Sequence, residues 1–310
     1  MTLIRSARTH ELPALFEHPD DPERNAATRA YLDELLKTKC TRPDWCLVAE
    51  DDAGRLVGSV VLWTLPGHAV PHAVVLFEAP AGDARVGSAL LDAAARTARE
   101  LGADELEHVV DSPAQAPQFQ REPERRGELL RGSGFRVVRD GRRFGLRVPA
   151  ELPADDPRLT FRALPDLGPE PFVDLLEELL AQTSDARLAA DVRNLGARGA
   201  AERRFEETAE LAHEPGWWEI GYAEDGTAAV ISLPARNPSV HVIGFVGVAP
   251  AHRGKGYAAS AVVRGTRLLA ADGAVEIRGD CDAANGAMAK AFTRAGYENF
   301  ADRLEFSRAL

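Results

Sequence analysis

The stretch Val246-Gly-Val-Ala-Pro-Ala-His-Arg-Gly-Lys-Gly-Tyr-Ala258 decides the fold. An apolar strand runs to Pro250 and breaks into a loop with glycines at 254 and 256. An amphipathic helix follows over Tyr257 to Leu269. Glycines at a helix entry let the backbone approach a ligand with no Cβ in the way. The unpaired N–H groups of the first helical turn point at that ligand, and the helix dipole favours negative charge there. Arg253 and Lys255 add two side-chain cations to the same loop. The segment reads as a pyrophosphate cradle on one strand–loop–helix unit.

Two other glycine loops fit less well. A P-loop needs Ser or Thr after Gly-Lys, and Gly256 stands there instead. Gly254-x-Gly256-x-x-Ala259 matches a loose dinucleotide fingerprint, but the strand runs through Pro250 and several loop residues before the first glycine. About fifty residues then remain, too few for a dinucleotide fold. A second pattern follows the first. A predicted strand, Ala274 to Arg278, leads into Asn285, and helical periodicity resumes with Met288, Ala291, Phe292 and Ala295 on one face. Gly296 is a plausible stop, with Tyr297 after it.

Arg253, Gly256 and Ala258 at their spacing, with Asn285, Met288, Phe292 and Gly296-Tyr297 at theirs, resemble the acyl-CoA motifs of the GNAT N-acetyltransferases. Together the two motifs span about the last seventy residues. The resemblance implies acetyl-CoA as co-substrate, bound by Val246, Gly247, Val248, Arg253, Gly254, Lys255, Gly256, Tyr257, Ala258, Asn285 and Phe292, with no metal. It also implies two strands that splay to admit the pantetheine arm. A backbone N–H near Val246 would face the developing oxyanion. Relatives often carry a tyrosine where this chain has Phe292, which cannot protonate a thiolate. For the base, His241 is the one titratable side chain on the strand 240–248, and Glu219 on the preceding strand Trp217 to Tyr222 is the second candidate. Asp280 and Asp282 could meet a substrate cation or serve the turn that holds them.

At 310 residues the chain suits two domains. Val148 to Pro157 has three prolines and three acids, a linker composition. On either side of it the same outline recurs. Strands are predicted at Leu3 to Arg8 and Leu159 to Leu164, and helices over Asn25 to Lys39, Pro171 to Leu180 and Asp185 to Leu211. Strand pairs follow, Trp45 to Glu50 with Leu56 to Trp63, and Trp217 to Tyr222 with Ala228 to Leu233. In the first half Val74 to Glu78 leads into Gly82 and a helix to about Leu101, with Gly87 and Ala89 matching Gly256 and Ala258. Ala84 stands where Arg253 belongs, so this copy is worn. Gly87 and Gly256 lie 169 residues apart, and Phe135 and Tyr297 lie 162 apart, as expected of one duplicated fold.

The expectation is therefore an α/β chain of the α+β type: two GNAT folds in tandem, each a mixed, mostly antiparallel twisted sheet flanked by helices. Residues 1–149 form the degenerate copy, 150–157 the linker and 158–310 the intact copy. The implied activity is transfer of an acetyl group to a small-molecule amine by direct attack in a ternary complex. The alternatives are a non-catalytic acyl-CoA sensor and a protein or peptide N-acetyltransferase. A net charge of −11 argues against nucleic acid as a partner, and no apolar run is long enough to span a membrane. Three cysteines in no metal spacing and no secretory signal predict a cytoplasmic protein, and two fused folds predict a monomer.

Overall fold

The computed structural model describes residues 2–310 except 13, 14, 16, 19, 81, 150, 184, 238 and 239. The first half comprises β1 (Leu3–Ser6), α1 (Pro22–Lys37), β2 (Cys46–Glu50), β3 (Leu56–Trp63), β4 (Ala73–Glu78), α2 (Ala84–Glu100), β5 (Glu105–Ser112), α3 (Pro123–Gly132) and β6 (Arg136–Arg147). The second comprises β7 (Thr160–Ala163), α4 (Leu164–Leu167), α5 (Glu170–Leu180), α6 (Ala186–Ala209), β8 (Glu219–Tyr222), β9 (Ala228–Arg236), β10 (His241–Val248), α7 (Tyr257–Ala271), β11 (Glu276–Asp282), α8 (Gly286–Arg294) and β12 (Glu298–Ala309). Residues 148–159 carry no helix or strand, with residue 150 of the predicted linker outside the described residues.

The chain divides into two compact units that are not consecutive segments. One holds residues 1–139 and 303–310, the other 140–302. Most of β6 thus belongs with the second unit, antiparallel to β11 from Glu276 opposite Arg147 to Asp282 opposite Gly141. The end of β12 belongs with the first, where Arg303 forks onto Asp111 at 2.8 Å and the Leu310 N–H donates to the Asp104 carbonyl at 2.9 Å. The sequence reading drew its division at the linker; the units differ from it by this exchange of final strands.

In the first unit β1 to β4 form an antiparallel meander, and β4 runs parallel to β5 with the single register Ala73 opposite Glu107. Helix α2 starts on Asp83, whose carboxylate accepts the Arg85 N–H at 3.0 Å. Its Val86, Leu90, Leu91, Ala94 and Ala98 recur at helical spacing and are buried against β2, β3 and β5. The second unit repeats the plan: β7 to β10 are antiparallel, and β10 is parallel to β11. Helices α5 and α6 cover one face, with Phe172, Leu176, Leu179 and Ala201 in the core. A glycine at φ 75°, Gly196, breaks α6 into two segments. Helix α7 covers the other face, and α8 is capped by Asn285, whose Oδ1 accepts the Met288 N–H at 3.0 Å. Gly296 at φ 91° ends α8 in the left-handed conformation that suits glycine.

Candidate active site

Strand β10 is bonded along its whole length to β9, from His241 opposite Arg236 to Val248 opposite Val230. Its other edge pairs with β11 only at His241–Ile277 and Val242–Arg278. Beyond Val242 the two strands part, leaving a wedge that exposes the β10 backbone toward its C-terminal end. A β-bulge lies between Ile243 and Phe245 at the point of parting. Its extra residue is Gly244 for a steric reason: a Cβ there would sit 2.7 Å from the Leu233 carbonyl oxygen.

The bulge resets which way the side chains point. Gly247 packs under Leu179 of α5, and Gly244 lies by Thr208 of α6, so these positions face α5 and α6. Ile243 contacts the position of Gly265 on α7, and Val246 and Val248 join Tyr257 and Ala261 of α7 in a second cluster. One face of β10 therefore looks toward α5 and α6, and the other toward α7.

The cradle sits at the mouth of the wedge. Gly254 and Gly256 have φ of 80° and 87°, and no atom lies within 4 Å of where a Cβ would stand on either. The backbone conformation requires glycine, and the space above it is open. Gly256 is the N-cap of α7 and supplies no side-chain acceptor, unlike Asp83 of α2. The positive end of the α7 dipole thus meets open space. Arg253 is held loosely, with Nε 3.4 Å from the Val248 carbonyl and Nη1 3.5 Å from Gln182 Oε1. Lys255 Nζ lies 3.3 Å from His252 Nδ1. A third cation, absent from the sequence reading, is Arg158: its Nη1 donates to the Lys255 carbonyl at 3.3 Å and its guanidinium lies 5.0 Å from the Tyr257 ring centroid. It stands in the Asp-Pro-Arg run that closes the linker, nearly a hundred residues before the loop, and no local pattern connects the two. Arg158 holds the Asp156 carboxyl far below the usual carboxylate range, and Asp156 in turn accepts from Ser260 Oγ at 2.7 Å.

The remaining sequence candidates are placed as follows. Ala258 lies in the first turn of α7, and the ring of Tyr257 is buried, leaving its backbone to the cradle. Asn285 serves as the α8 cap at the wedge side of β11. Phe292 is a core residue, stacked on Phe144 at 4.9 Å and packed so closely on Gly279 that a Cβ there would lie 2.6 Å from its ring. Burying such a side chain contributes about 1.5–3 kcal/mol, which accounts for an aromatic at this position without any contact to a cofactor. Asp282 is buried and accepts the Ala284 N–H at 2.8 Å, which is turn chemistry. Tyr297 is also in the core, its OH 2.7 Å from Thr266 Oγ1, and burial pushes its phenol above the ordinary range.

Both candidate bases are corrected by the geometry. Glu219 is buried and held in a bidentate pair with Arg264 of α7, both bonds 2.7 Å. Each of its oxygens accepts from that guanidinium. His241 points to the α7 face, where Nε2 lies 3.0 Å from Asp272, the residue that ends α7. That is the opposite end of a fifteen-residue helix from the cradle, about 22 Å at 1.5 Å per residue. On the α5/α6 face, β10 offers only Val242, Gly244, Phe245 and Gly247, none of which titrates. Among the described residues no group of three or more His, Cys, Asp or Glu side chains could hold a metal, and no helix is long and apolar enough to cross a membrane.

Residues 174–297, which hold the wedge, the cradle and the Asn285 helix, match the model of the Acetyltransferase (GNAT) family. The second unit carries a GNAT domain. The match lies within this unit and supports an N-acyltransferase activity there. The whole chain is similar in fold to a GCN5-related N-acetyltransferase from Sphaerobacter thermophilus, at TM-score 0.64 and 16% identity over 99% of this chain and 95% of that one. It is also similar to the glucosamine N-acetyltransferase region of a fungal multi-domain GH3 β-N-acetylglucosaminidase, at TM-score 0.56 and 15% identity over 99% of this chain and 38% of that one. No curated protein matches the sequence.

The first unit repeats the parting of parallel strands, with β4 and β5 paired only at Ala73–Glu107, and the chain itself fills the gap. The Leu76 N–H donates to Gln118 Oε1 at 3.0 Å, His108 Nδ1 lies 2.7 Å from the Val74 carbonyl, and Arg126 Nη1 donates to the Phe77 carbonyl. Gln120 Nε2 bonds both Gln118 Oε1 at 2.9 Å and His108 Nε2 at 3.2 Å. Burial pushes His108 down to about 4, so a neutral ring donates at Nδ1 and accepts at Nε2. The matching glycine has also changed use: a Cβ on Gly87 would meet Leu129 of α3 at 2.4 Å, so Gly87 serves helix packing.

Proposed function

We propose that the chain transfers an acetyl group from acetyl-CoA to the amine of a small molecule, by direct attack in a ternary complex within the second unit. The observation that carries this reading is the parting of β10 from β11 after Val242, with the open Gly254–Gly256 loop and the uncapped start of α7 at its mouth. The thioester supplies the activated acyl group. Arg253, Lys255, Arg158 and the first turn of α7 bind the pyrophosphate. The free edge of β10 from Val246 to Val248 offers backbone partners to the pantetheine amides, and a β10 N–H near Val246 faces the charge that develops on the thioester oxygen. The acceptor approaches from the α5/α6 face. Water, or the acceptor's own equilibrium with its free amine, supplies deprotonation, since that face of β10 carries no base. Phe292 has no proton to give, so the thiolate leaves unassisted or is protonated by water.

Free-thiol release from acetyl-CoA across a panel of amines, amino sugars, amino acids and peptides tests the reading. Turnover on a small amine is the expected result. Tight CoA binding with no turnover on any amine would replace it by a sensor, and turnover restricted to peptides by a peptide acetyltransferase.

Two further outcomes follow. His241→Ala should change turnover by no more than about threefold, because its imidazole serves Asp272 on the far face; a loss of a hundredfold, the scale of general base catalysis, would reinstate His241 as the base. Calorimetric titration with CoA should give one site per chain, because Gln118, His108 and Arg126 take up the β4 backbone in the first unit. Two equivalent sites would show that this filling gives way.

A further inference from the structure

On the side of α8 away from the wedge, a groove of about 760 Å³ lies between that helix, β6 and the start of β12. Its walls carry Arg142 of β6 and Lys290 and Arg294 of α8, with Asn299 and Asp302 at the rim and Phe144 and Ala289 as the apolar floor. We propose that this groove binds a small organic phosphate.

The charge arrangement carries the inference. Several arginines elsewhere in this unit are neutralised at close range: Arg264 by Glu219, Arg203 by Glu207, and Arg198 by acids from α5 and α6. Among the described residues Arg142, Lys290 and Arg294 make no ion pair or side-chain hydrogen bond, yet they converge on one concavity in a chain of net charge −11. Lys290 and Arg294 stand four apart on α8, where like charges repel. The helix dipole explains a cation in the last turn, hence Arg294, but reaches neither Lys290 nor Arg142 on the neighbouring strand. An anion among the three removes the repulsion.

The other walls narrow the class. The volume falls in the range of roughly 300–1,000 Å³ typical of small-molecule sites. Phe144 and Ala289 suit a carbon skeleton, and a lone carboxylate, Asp302, suits a hydroxyl or amine on it rather than a second phosphate. Asn299 spends its Nδ2 on the carbonyls of Arg143 and Ala301, leaving its Oδ1 to accept. The groove is also separate from the cradle. Met288 and Phe292 belong to the core face of α8, whereas Gly286, Lys290 and Thr293 lie on its flank, about 100° of helical turn away per residue step.

The test uses full-length protein carrying Gly256→Glu, so that phosphate cannot register at the cradle, and calorimetric titration with glycerol 3-phosphate. One saturable site per chain is expected, with Kd on the order of 0.1–1 mM. Arg142→Glu combined with Lys290→Glu should weaken it at least tenfold; both side chains are exposed, and circular dichroism confirms the fold. Glycerol alone should not bind, and inorganic phosphate should bind more weakly than the ester. Absence of saturable binding, equal affinity after charge reversal, or equal affinity for inorganic phosphate would each overturn the proposal. Because the readout involves neither CoA nor turnover, its failure leaves the acetyltransferase reading standing, and the converse also holds.

Discussion

Gly256→Glu is expected to weaken CoA binding by at least a hundredfold. Two effects act together. Gly256 has φ 87°, in the left-handed region, so any side chain there strains the turn that starts α7, at about 1–2 kcal/mol. The added carboxylate also projects into the open space above the loop, where it meets the pyrophosphate and takes the helix N-terminus for itself. Gly256→Ala separates the two, keeping the strain and omitting the charge, and should lose about tenfold. Calorimetry with CoA measures both. Unchanged affinity in the Glu variant would refute the cradle assignment, provided its unfolding midpoint stays within a few degrees of the parent.

The loop geometry at Gly254 and Gly256 was legible in the sequence because its causes are local. Two glycines, two cations and a helix start fall within thirteen residues, and each has its conformational reason at its own position. His241 and Glu219 were misjudged because theirs are not. Simple alternation along β10 puts His241 on the same face as Phe245 and Gly247, toward α5 and α6. The bulge inserts Gly244 and shifts the parity, so His241 turns to α7. Gly244 owes its place to the Leu233 carbonyl on the next strand, a contact that no periodicity reveals. Glu219 finds Arg264 forty-five residues away. The exchange of final strands was hidden for a similar reason. β6 and β12 are rich in arginine and acidic residues, weak strand signals by composition, and what fixes their place is pairing with partners far along the chain. Arg158 was missed in the same way.

The filled wedge of the first unit leads to the second large effect, on stability. Glu78 ends β4, where the intact copy turns into its cradle. One carboxylate oxygen accepts from Arg24, and the other from Arg126 at 2.9 Å. Both arginines are almost entirely buried, at 3% and 7% exposure, and both also hold the segment that fills the wedge: Arg24 Nε donates to the Phe119 carbonyl at 3.0 Å, and Arg126 Nε to the Arg121 carbonyl at 2.8 Å. Glu78→Ala removes the carboxylate that two buried guanidinium groups share. Loss of one partner from a buried pair destabilises by about 3–5 kcal/mol, and here one deletion takes a partner from two cations. Denaturant unfolding followed by Trp45 and Trp63 fluorescence, both in this unit, should shift by that amount, while CoA affinity at the second unit stays unchanged under native conditions. The double variant Glu78→Ala, Arg126→Met should recover part of the loss, because removing one of the two cations relieves repulsion on the other; purely additive losses would contradict the coupling. A shift below about 1 kcal/mol would mean that water reaches these guanidinium groups. The β4 wedge would then be open enough to admit a ligand, and the worn copy would no longer be closed by its own chain.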